Sequence, residues 1–255
     1  MSEALKVWTD REGRLLRLRL NRPKANIIDA EMVAALDAAL SAHGDNPGLL
    51  AILIDAEGPH FSFGASVEEH LPGQCAAMLR GLHALILRMV KSQIPILVAV
   101  RGQCLGGGLE VAMAGHLMFV APDAMLGQPE IKLAVFAPAA SCLMPERVGR
   151  AVAEELLFSG RSIPGSQAVA IRLANAAADD PEAAAVAWFD DHLAGLSGAA
   201  LRHAVGAVRI GLAERLAERL ASVEKLYLDS LMSTRDALEG LQAFIAKRPA
   251  KWEHR

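Results

Sequence analysis

Two glutamates and a run of three glycines are the residues of this chain best suited to chemistry. Gly106, Gly107 and Gly108 are consecutive, Glu110 comes two positions later, and Glu130 follows in a Gln-Pro-Glu segment. Glycine admits backbone conformations that other residues resist, so a glycine turn that opens a helix presents bare N–H groups to a ligand oxygen. Two carboxyl groups supply a general acid and a general base beside a carbonyl. This spacing predicts an enzyme site.

The glycine turn predicts one half of an oxyanion hole. The middle glycine, Gly107, is expected to donate its N–H to a developing enolate oxygen, since no side chain blocks the approach. The alternative is close packing of a helix on a strand. A second donor is expected in the segment 61–66, where Gly64 marks another turn, and the candidate is the N–H of Ala65. Either turn alone is a weak signal, because glycine turns mostly serve as connections.

The two glutamates also have ordinary interpretations. Glu110 falls in the first turn of a predicted helix, where the helix dipole favours a carboxylate by about 0.3–1 kcal/mol, and Glu130 can be a solvated loop acid. However, Glu110 is the single acid within the apolar run 109–113, and burying it needs a reason. Two neighbouring carboxylates resist double ionisation, so one of them is expected to stay protonated near neutrality. Which one is the acid and which the base stays open.

Composition narrows the functional class. The 255 residues carry a net charge of −3, and the arginines are scattered among acids, which argues against a nucleic-acid partner. The apolar stretches are shorter than the roughly 20 residues that cross a bilayer, so no membrane association is expected. The first thirty residues are too charged for a signal peptide. Cys75, Cys104 and Cys142 show no CxxC spacing, which predicts reduced thiols in a cytoplasm and no metal site.

The hydrophobic pattern predicts an α/β core that positions these residues. The segments 5–9 and 15–20 form an opening hairpin, and Asp29 caps the next helix. The predicted helices of this first half are 31–43, 79–90 and 107–114, and the predicted strands are 49–54, 94–100 and 117–120. The first of these helices lies between two strands, which predicts a β-α-β unit.

After residue 138 the pattern becomes helical. Helices are predicted over 151–158, 166–172, 181–193 and 198–208, and two amphipathic helices over 212–246. The last two are more apolar than a small tail needs, so they are expected to pack on another subunit. The predicted division is a core of residues 1–195 and a C-terminal helical oligomerisation region of residues 196–255.

Taken together, these features resemble the crotonase (enoyl-CoA hydratase/isomerase) superfamily. The segments that carry the resemblance are 21–26 (NRPKAN), 58–70 (GPHFSFGASVEEH), 101–110 (RGQCLGGGLE), 135–141 (VFAPAAS) and 239–248 (EGLQAFIAKR). They extend over almost the whole chain. The resemblance implies a spiral of β-β-α turns with a C-terminal helical trimerisation region, assembled as a homotrimer or a dimer of trimers.

The resemblance also implies roles for residues. Ala65 and Gly107 correspond to the two oxyanion-hole donors, and Glu110 and Glu130 to the two acids of the hydratase branch. The substrate would be an acyl-CoA thioester, with no separate cofactor because CoA is part of the substrate. The residues implied in holding CoA are Lys24, Ala25, Asn26, Phe63 and Ala65, together with Phe244 and Lys247, which would reach the CoA of a neighbouring subunit. The alternative for Phe244 and Lys247 is ordinary helix-face packing and solvation.

Two departures from the family pattern bear on the substrate. Ser66 stands where an acid usually follows the first oxyanion turn, and the segment 136–141 replaces a glycine-rich one. Phe136 in that segment favours an apolar wall suited to a ring. The first hypothesis is therefore a hydratase of a cyclic dienoyl-CoA. The second is an enoyl-CoA hydratase or isomerase for another acyl-CoA, which the Phe136 segment disfavours, and the third is an inactive CoA- or RNA-binding scaffold, which the two acids disfavour.

Overall fold

The computed structural model describes residues 4–255, which form two sheets surrounded by helices. The strands are β1 (Leu5–Asp10), β2 (Leu15–Leu20), β3 (Ala51–Ala56), β4 (Ile96–Val100), β5 (Gln103–Leu105), β6 (Leu117–Val120), β7 (Met125–Gly127), β8 (Ser162–Pro164) and β9 (Ala176–Ala177). The helices are α1 (Ala30–His43), α2 (Cys75–Lys91), α3 (Gly107–Ala114), α4 (Pro138–Val148), α5 (Arg150–Ser159), α6 (Gly165–Ala170), α7 (Pro181–His192), α8 (Gly198–Val208), α9 (Leu212–Lys225) and α10 (Arg235–Ile245). Within these residues no helix is both long and apolar enough to span a membrane.

The large sheet has the strand order β1-β2-β3-β4-β6-β9, and the small sheet the order β5-β7-β8. In the large sheet only the hairpin β1-β2 is antiparallel. The chain advances as a spiral of strands and helices, and in two of its turns a strand of the large sheet is followed by a short strand of the small sheet and then by a helix. β4, β5 and α3 form one turn, and β6, β7 and α4 the next. The predicted α/β class and the spiral of β-β-α turns are confirmed.

Local sequence explains why these elements form. All five residues of β4 are buried, as expected for a parallel strand covered on both faces. Helix α1 begins where the Asp29 carboxylate accepts a hydrogen bond from the Met32 N–H at 3.0 Å, which confirms the predicted cap. In β2 the buried guanidinium of Arg17 donates to the carboxylate of Asp55 in β3 at 2.6 Å, so the charges within the sheet are paired.

Three apolar clusters hold the helices to the sheets. The largest joins α1, α2, α3 and α4 to one face of the large sheet. The second packs Phe189 of α7 on the opposite face, against Leu53 and Leu97. The third links α2 to the C-terminal helices through Leu79, Tyr227 and other apolar side chains.

Several elements differ from the sequence expectation. Helix α4 was not predicted, and the strands β5, β7, β8 and β9 are only two or three residues long. The predicted helical stretch 212–246 is interrupted by a π-helical turn at Leu226–Ser230 and a 3-10 turn at Leu231–Ser233. Helix α9 packs on α2 and α4, and its residues Ala213, Leu216 and Leu220 belong to the largest cluster. The division between residues 195 and 196 stays a prediction.

Candidate active site

The two glycine turns meet because their backbones pair side by side. Ser62 N donates to Gln103 O at 2.9 Å, and Leu105 N donates to Ser62 O at 3.0 Å. This parallel pairing carries residue 65 alongside the start of α3. A Cβ built on Gly107 would lie 3.2 Å from Ala65 N. The structure therefore brings the two predicted oxyanion donors together.

Both amides are open to a ligand. The carbonyl of Gly64 accepts from Ile28 N at 2.9 Å, so the contact of this turn with residue 28 does not use the Ala65 N–H. Gly107 is the first residue of α3, where an N–H has no acceptor within its own helix. Within residues 4–255 neither N–H donates to a protein acceptor. One oxygen placed between them can accept from both.

Each of the three glycines admits a different neighbour. A Cβ on Gly106 would lie 2.5 Å from Glu130 Oε1, and one on Gly108 would lie 2.5 Å from Ser62 Cβ. The corresponding position on Gly107 faces Ala65. Gly108 therefore allows the close packing of helix on strand, while Gly106 and Gly107 leave room for the acid and the amides. Close packing of helix on strand is therefore found at Gly108, and the oxyanion role of Gly107 stays a prediction.

Glu110 is buried in the first turn of α3, with 3% of its surface exposed. Its Oε1 accepts a hydrogen bond from Ala140 N at 2.7 Å, and Ala140 belongs to the first turn of α4. Burial raises the pKa of Glu110 to about 7, although the N–H groups of Ala140 and Ala139 act in the opposite direction. A helix that the sequence did not predict therefore holds this acid in place.

Glu130 stands on a 3-10 turn, Pro129–Leu133, next to Gly106. Burial raises its pKa to about 8, and the negative charge of Glu110 contributes to that rise. The two carboxyl groups are therefore close enough to influence each other, and they titrate as a pair. At neutral pH the pair retains a proton that two solvated glutamates would have lost.

Gln128 is a site residue that the sequence reasoning missed. Its side chain is buried, with 2% of the residue exposed. With the amide nitrogen oriented toward Glu130, it donates to both carboxylate oxygens at 3.1 Å. The amide fixes the direction of this carboxyl group and favours its ionised form. The available signal was its position in the Gln-Pro-Glu segment, where a polar side chain is placed two residues before an acid.

The site opens into a largely apolar cleft of about 660 Å³. Glu130 and Ala65 line it, and so do three other residues singled out from the sequence: Phe63, Ser66 and Phe244. The remaining wall is mostly apolar and includes Leu133, Val135 and Leu241. Such a cleft suits an apolar acyl group with a few polar atoms at one end.

The predicted CoA residues of the loop 22–26 lie beside the oxyanion turn. Ala25 O accepts from Phe63 N at 2.9 Å, which ties the two segments together. The side chain of Asn26 is fully buried and donates to the carbonyls of Glu57 and His60, both at 3.0 Å. It is therefore committed within the protein, and the Asn26 N–H donates to Arg22 O at 2.9 Å as well. Lys24 is exposed next to it.

The other predicted residues occupy distinct places. Ser66 Oγ donates to Glu68 Oε2 at 3.1 Å and accepts from Glu69 N, which shapes the turn after Ala65. Phe136 is half-buried, with its ring edge-on to another ring at 5.2 Å between centroids. Lys247 is exposed just beyond α10 and does not line the cleft. In the part of the chain that the structure describes, no group of three or more His, Cys, Asp or Glu is placed to hold a metal.

A fold of β-β-α turns with two amides opposite a pair of acids defines a class of thioester enzymes, and the chain belongs to the enoyl-CoA hydratase/isomerase family. The family model with that description matches residues 10–255. The predicted crotonase superfamily membership is confirmed.

Individual relatives refine this placement. The chain is 62% identical to a cyclohexa-1,5-dienecarbonyl-CoA hydratase of Thauera aromatica over the full length of both proteins. It is 33% identical to a probable enoyl-CoA hydratase of Rhizobium meliloti, with 99% of each chain covered. Among solved structures, an enoyl-CoA hydratase/isomerase from Mycobacterium paratuberculosis superposes with a TM-score of 0.86 at 24% identity, covering 95% of this chain and 98% of that one.

Replacing Gly107 by alanine tests the oxyanion pair. The new methyl group would stand 3.1 Å from Ala65 Cβ, between the two donors. We expect kcat for an acyl-CoA substrate to fall about 100-fold or more, as in other enzymes that lose one oxyanion donor. The unfolding midpoint should stay near that of the wild type. The matched control is Gly81→Ala in α2, where the nearest atom to the added Cβ is 3.7 Å away. Wild-type kcat in Gly107→Ala would refute the assignment.

The raised pKa of Glu110 predicts a pH-dependent stability difference for Glu110→Gln. Below about pH 4.5 both folded and unfolded wild type are protonated there, and glutamine mimics that state. Between about pH 4.5 and 7 the unfolded chain loses the proton that the folded chain keeps, so wild-type stability falls as pH rises. As the pH rises from 5 to 8, we expect the free energy of unfolding of Glu110→Gln to increase relative to that of the wild type by on the order of 1–3 kcal/mol.

Urea unfolding at pH 5, 6, 7 and 8, at one protein concentration, measures this difference. The control is Glu154→Gln, a change at an exposed glutamate of α5, for which the difference from wild type should stay flat. A flat difference for Glu110→Gln as well would show that burial does not hold its proton.

Proposed function

We propose that the protein is a hydro-lyase that adds water to cyclohexa-1,5-diene-1-carbonyl-CoA and forms 6-hydroxycyclohex-1-ene-1-carbonyl-CoA. The carrying observation is the placement of the Ala65 and Gly107 amides beside the coupled acids Glu110 and Glu130. The full-length relative at 62% identity supports the cyclic substrate. We further place the reaction in the anaerobic degradation of benzoyl-CoA.

The oxyanion pair accounts for activation of the substrate. The thioester oxygen accepts hydrogen bonds from Ala65 and Gly107, and it gains negative charge when water oxygen attacks the ring carbon β to the carbonyl. Donors aimed at that oxygen favour the transition state over the ground state, each by about 2.7–4 kcal/mol in comparable sites. Because both donors belong to the backbone, no proton is exchanged with them.

The acids complete the addition. One carboxylate takes a proton from the attacking water, and one carboxylic acid gives a proton to the ring carbon at the far end of the diene. A C–O bond forms at the β carbon, and a C–H bond forms at the far end of the diene. One of the two double bonds is lost, and the remaining one lies between the two middle carbons of the former diene. The balance needs no electron donor or acceptor. A pair that keeps one proton at neutral pH, as Glu110 and Glu130 do, supplies both roles.

A cyclic substrate requires two acids that reach two different carbons of the ring. The two reacting carbons are separated by two others, so the groups that serve them must lie on different sides of the bound ring. Glu110 is held by a hydrogen bond from α4, and Glu130 belongs to the turn 129–133, so the two acids are positioned by different segments of the chain. The apolar cleft, with Leu133 and Val135 beside Glu130, suits a six-membered carbon ring.

For the rest of the substrate, CoA is bound at the loop of Lys24, Ala25 and Asn26 and at the turn 63–65, and no further cofactor takes part. The chain acts as a homotrimer or a dimer of trimers in the cytoplasm. Exposed apolar side chains at the end of α8 support this assembly, with Val208 87% and Ile210 79% exposed. In that assembly Phe244 and Lys247 reach the CoA of a neighbouring subunit.

Incubation of the purified protein with cyclohexa-1,5-diene-1-carbonyl-CoA and, separately, with crotonyl-CoA tests the proposal, with products followed by mass. We expect the wild type to hydrate the cyclic thioester preferentially. Glu110→Gln and Glu130→Gln should each lower kcat about 100-fold or more, because each removes one proton-transfer group. The matched control is Glu12→Gln, a change in the hairpin turn that precedes β2, and it should keep wild-type kcat. Preference for crotonyl-CoA would favour a general enoyl-CoA hydratase instead.

Phe136 is expected to favour the ring over a straight chain. Phe136 packs with Leu133 and Val135, which line the cleft. Replacing it by glycine removes the support of this apolar wall, so kcat/KM for the cyclic thioester should fall about 10-fold or more relative to crotonyl-CoA. Phe136→Leu, which keeps an apolar side chain of similar reach, separates this effect from a loss of folding. An unchanged ratio of the two kcat/KM values in the glycine variant would sink the assignment.

A further inference from the structure

Tyr227 is a buried polar side chain that the mechanism above does not use. It is the single tyrosine of the chain and is fully buried, at 0% exposure. Among the described residues its hydroxyl has no hydrogen-bond partner. Buried tyrosine hydroxyl groups usually have a partner, because leaving one unpaired costs free energy. A phenylalanine would fill the same space without that cost.

The position of Tyr227 connects it to the substrate cleft. Its ring meets the ring of Phe136 edge-on at 5.2 Å. It belongs to one apolar cluster with Leu133, Val135 and Leu241, and these three residues also line the cleft. Tyr227 therefore packs directly against residues that form this part of the cleft wall.

The local backbone is also unusual at this point. Tyr227 lies in the π-helical turn 226–230, which interrupts the run from α9 to α10. Such turns are rare and often occur at functional sites.

The acids of the site act on the same hydroxyl. Burial raises the pKa of Tyr227 above its ordinary range, and the charges of Cys75, Glu130 and Glu110 contribute to that rise. The phenol therefore remains a protonated donor throughout the working pH range. It is a buried donor with no acceptor of its own among the described residues.

Resting on the proposed hydration, we propose that Tyr227 is a positioning residue whose hydroxyl donates a hydrogen bond to the oxygen that becomes the product hydroxyl. That oxygen is the one atom of the reaction that must lie beside Glu110 or Glu130 both as water and as ring hydroxyl. A third contact from the wall restricts its direction of attack to one ring carbon. Catalytic proton transfer stays with the two acids.

A pair of ligands that differ by this oxygen tests the assignment. The probes are 6-hydroxycyclohex-1-ene-1-carbonyl-CoA and cyclohex-1-ene-1-carbonyl-CoA, and binding to wild type and Tyr227→Phe is measured by calorimetry. Tyr227→Phe should weaken binding of the hydroxylated thioester roughly 3- to 10-fold, the size of one hydrogen bond, and leave the other within about twofold. Equal effects on both ligands, or no effect on either, would overturn the proposal.

A spectroscopic readout independent of turnover comes from the single tyrosine. With tyrosine labelled by ¹³C at Cζ, the folded protein gives one tyrosine signal, which Tyr227→Phe removes. The hydroxylated thioester should shift this signal more than the unhydroxylated one does. Identical shifts with both ligands would count against a hydrogen bond to the product oxygen.

Stability and kinetics separate positioning from packing. Tyr227→Phe removes an unpartnered buried hydroxyl, so the unfolding midpoint should stay the same or rise. At the same time kcat for hydration should fall about 10-fold, with KM changed less than threefold. A structural role alone would leave kcat unchanged. If the wild type neither binds nor hydrates the cyclic thioesters, the proposed function itself fails, and that result is distinct from equal behaviour of wild type and variant.

Discussion

The parallel pairing between residues 61–65 and residues 103–107 is the constraint on which the rest of the structure depends. Main-chain hydrogen bonds of 2.9–3.0 Å between Ser62, Gln103 and Leu105 set the separation of the two glycine turns. Gly108 permits this approach, because a Cβ there would overlap Ser62. The two oxyanion amides are thus held by backbone geometry, which does not relax through rotamer changes. A preorganised pair of donors has no reorganisation to complete during the reaction.

Burial of the acids follows from the same geometry. Once α3 is docked against the turn 61–65, Glu110 in its first turn faces inward, at 3% exposure. A buried carboxylate is unfavourable, and the structure limits that cost with the N–H of Ala140 and, at Glu130, the amide of Gln128. The remaining destabilisation of the charged forms is what keeps a proton on the pair near neutrality. An unfavourable feature for folding is therefore the useful one for proton transfer.

Local sequence signals were enough to predict helix α3, strand β6 and the two glycine turns. The predicted helix 107–114 and strand 117–120 have the observed bounds, because glycine turns and continuous apolar runs mark their own ends. The structure places the predicted pair Ala65 and Gly107 side by side for a related reason, since each turn was visible in its own segment. Spacing in sequence could not show that residue 65 would lie beside residue 107. The glycine turns made Ala65 a candidate for the second donor, and the family resemblance supported that pairing.

The parts that sequence did not predict depend on tertiary contacts. Helix α4 has a low apolar periodicity, with Pro145 inside it, and it exists where it packs on α3, α5 and α9. The strands β5 and β7 have three residues each, too few to show a period. Gln128 and Tyr227 look like ordinary polar and apolar positions until the chain brings them to Glu130 and Phe136.

The structure also separates the groups that carry out the reaction, which belong to the backbone, from the side chains that select the substrate. The donors proposed to stabilise the enolate are main-chain N–H groups, which side-chain substitution leaves in place unless, as at Gly107, it fills the space between them. The wall of the cleft is built from side chains that include Leu133, Val135 and Leu241, and Phe136 and Tyr227 pack with them in one apolar cluster. These come from two distant segments, so the wall can change without moving the oxyanion pair. In the proposed reaction, the preference for a ring therefore depends on the side chains of the wall, while addition to a thioester depends on the backbone amides.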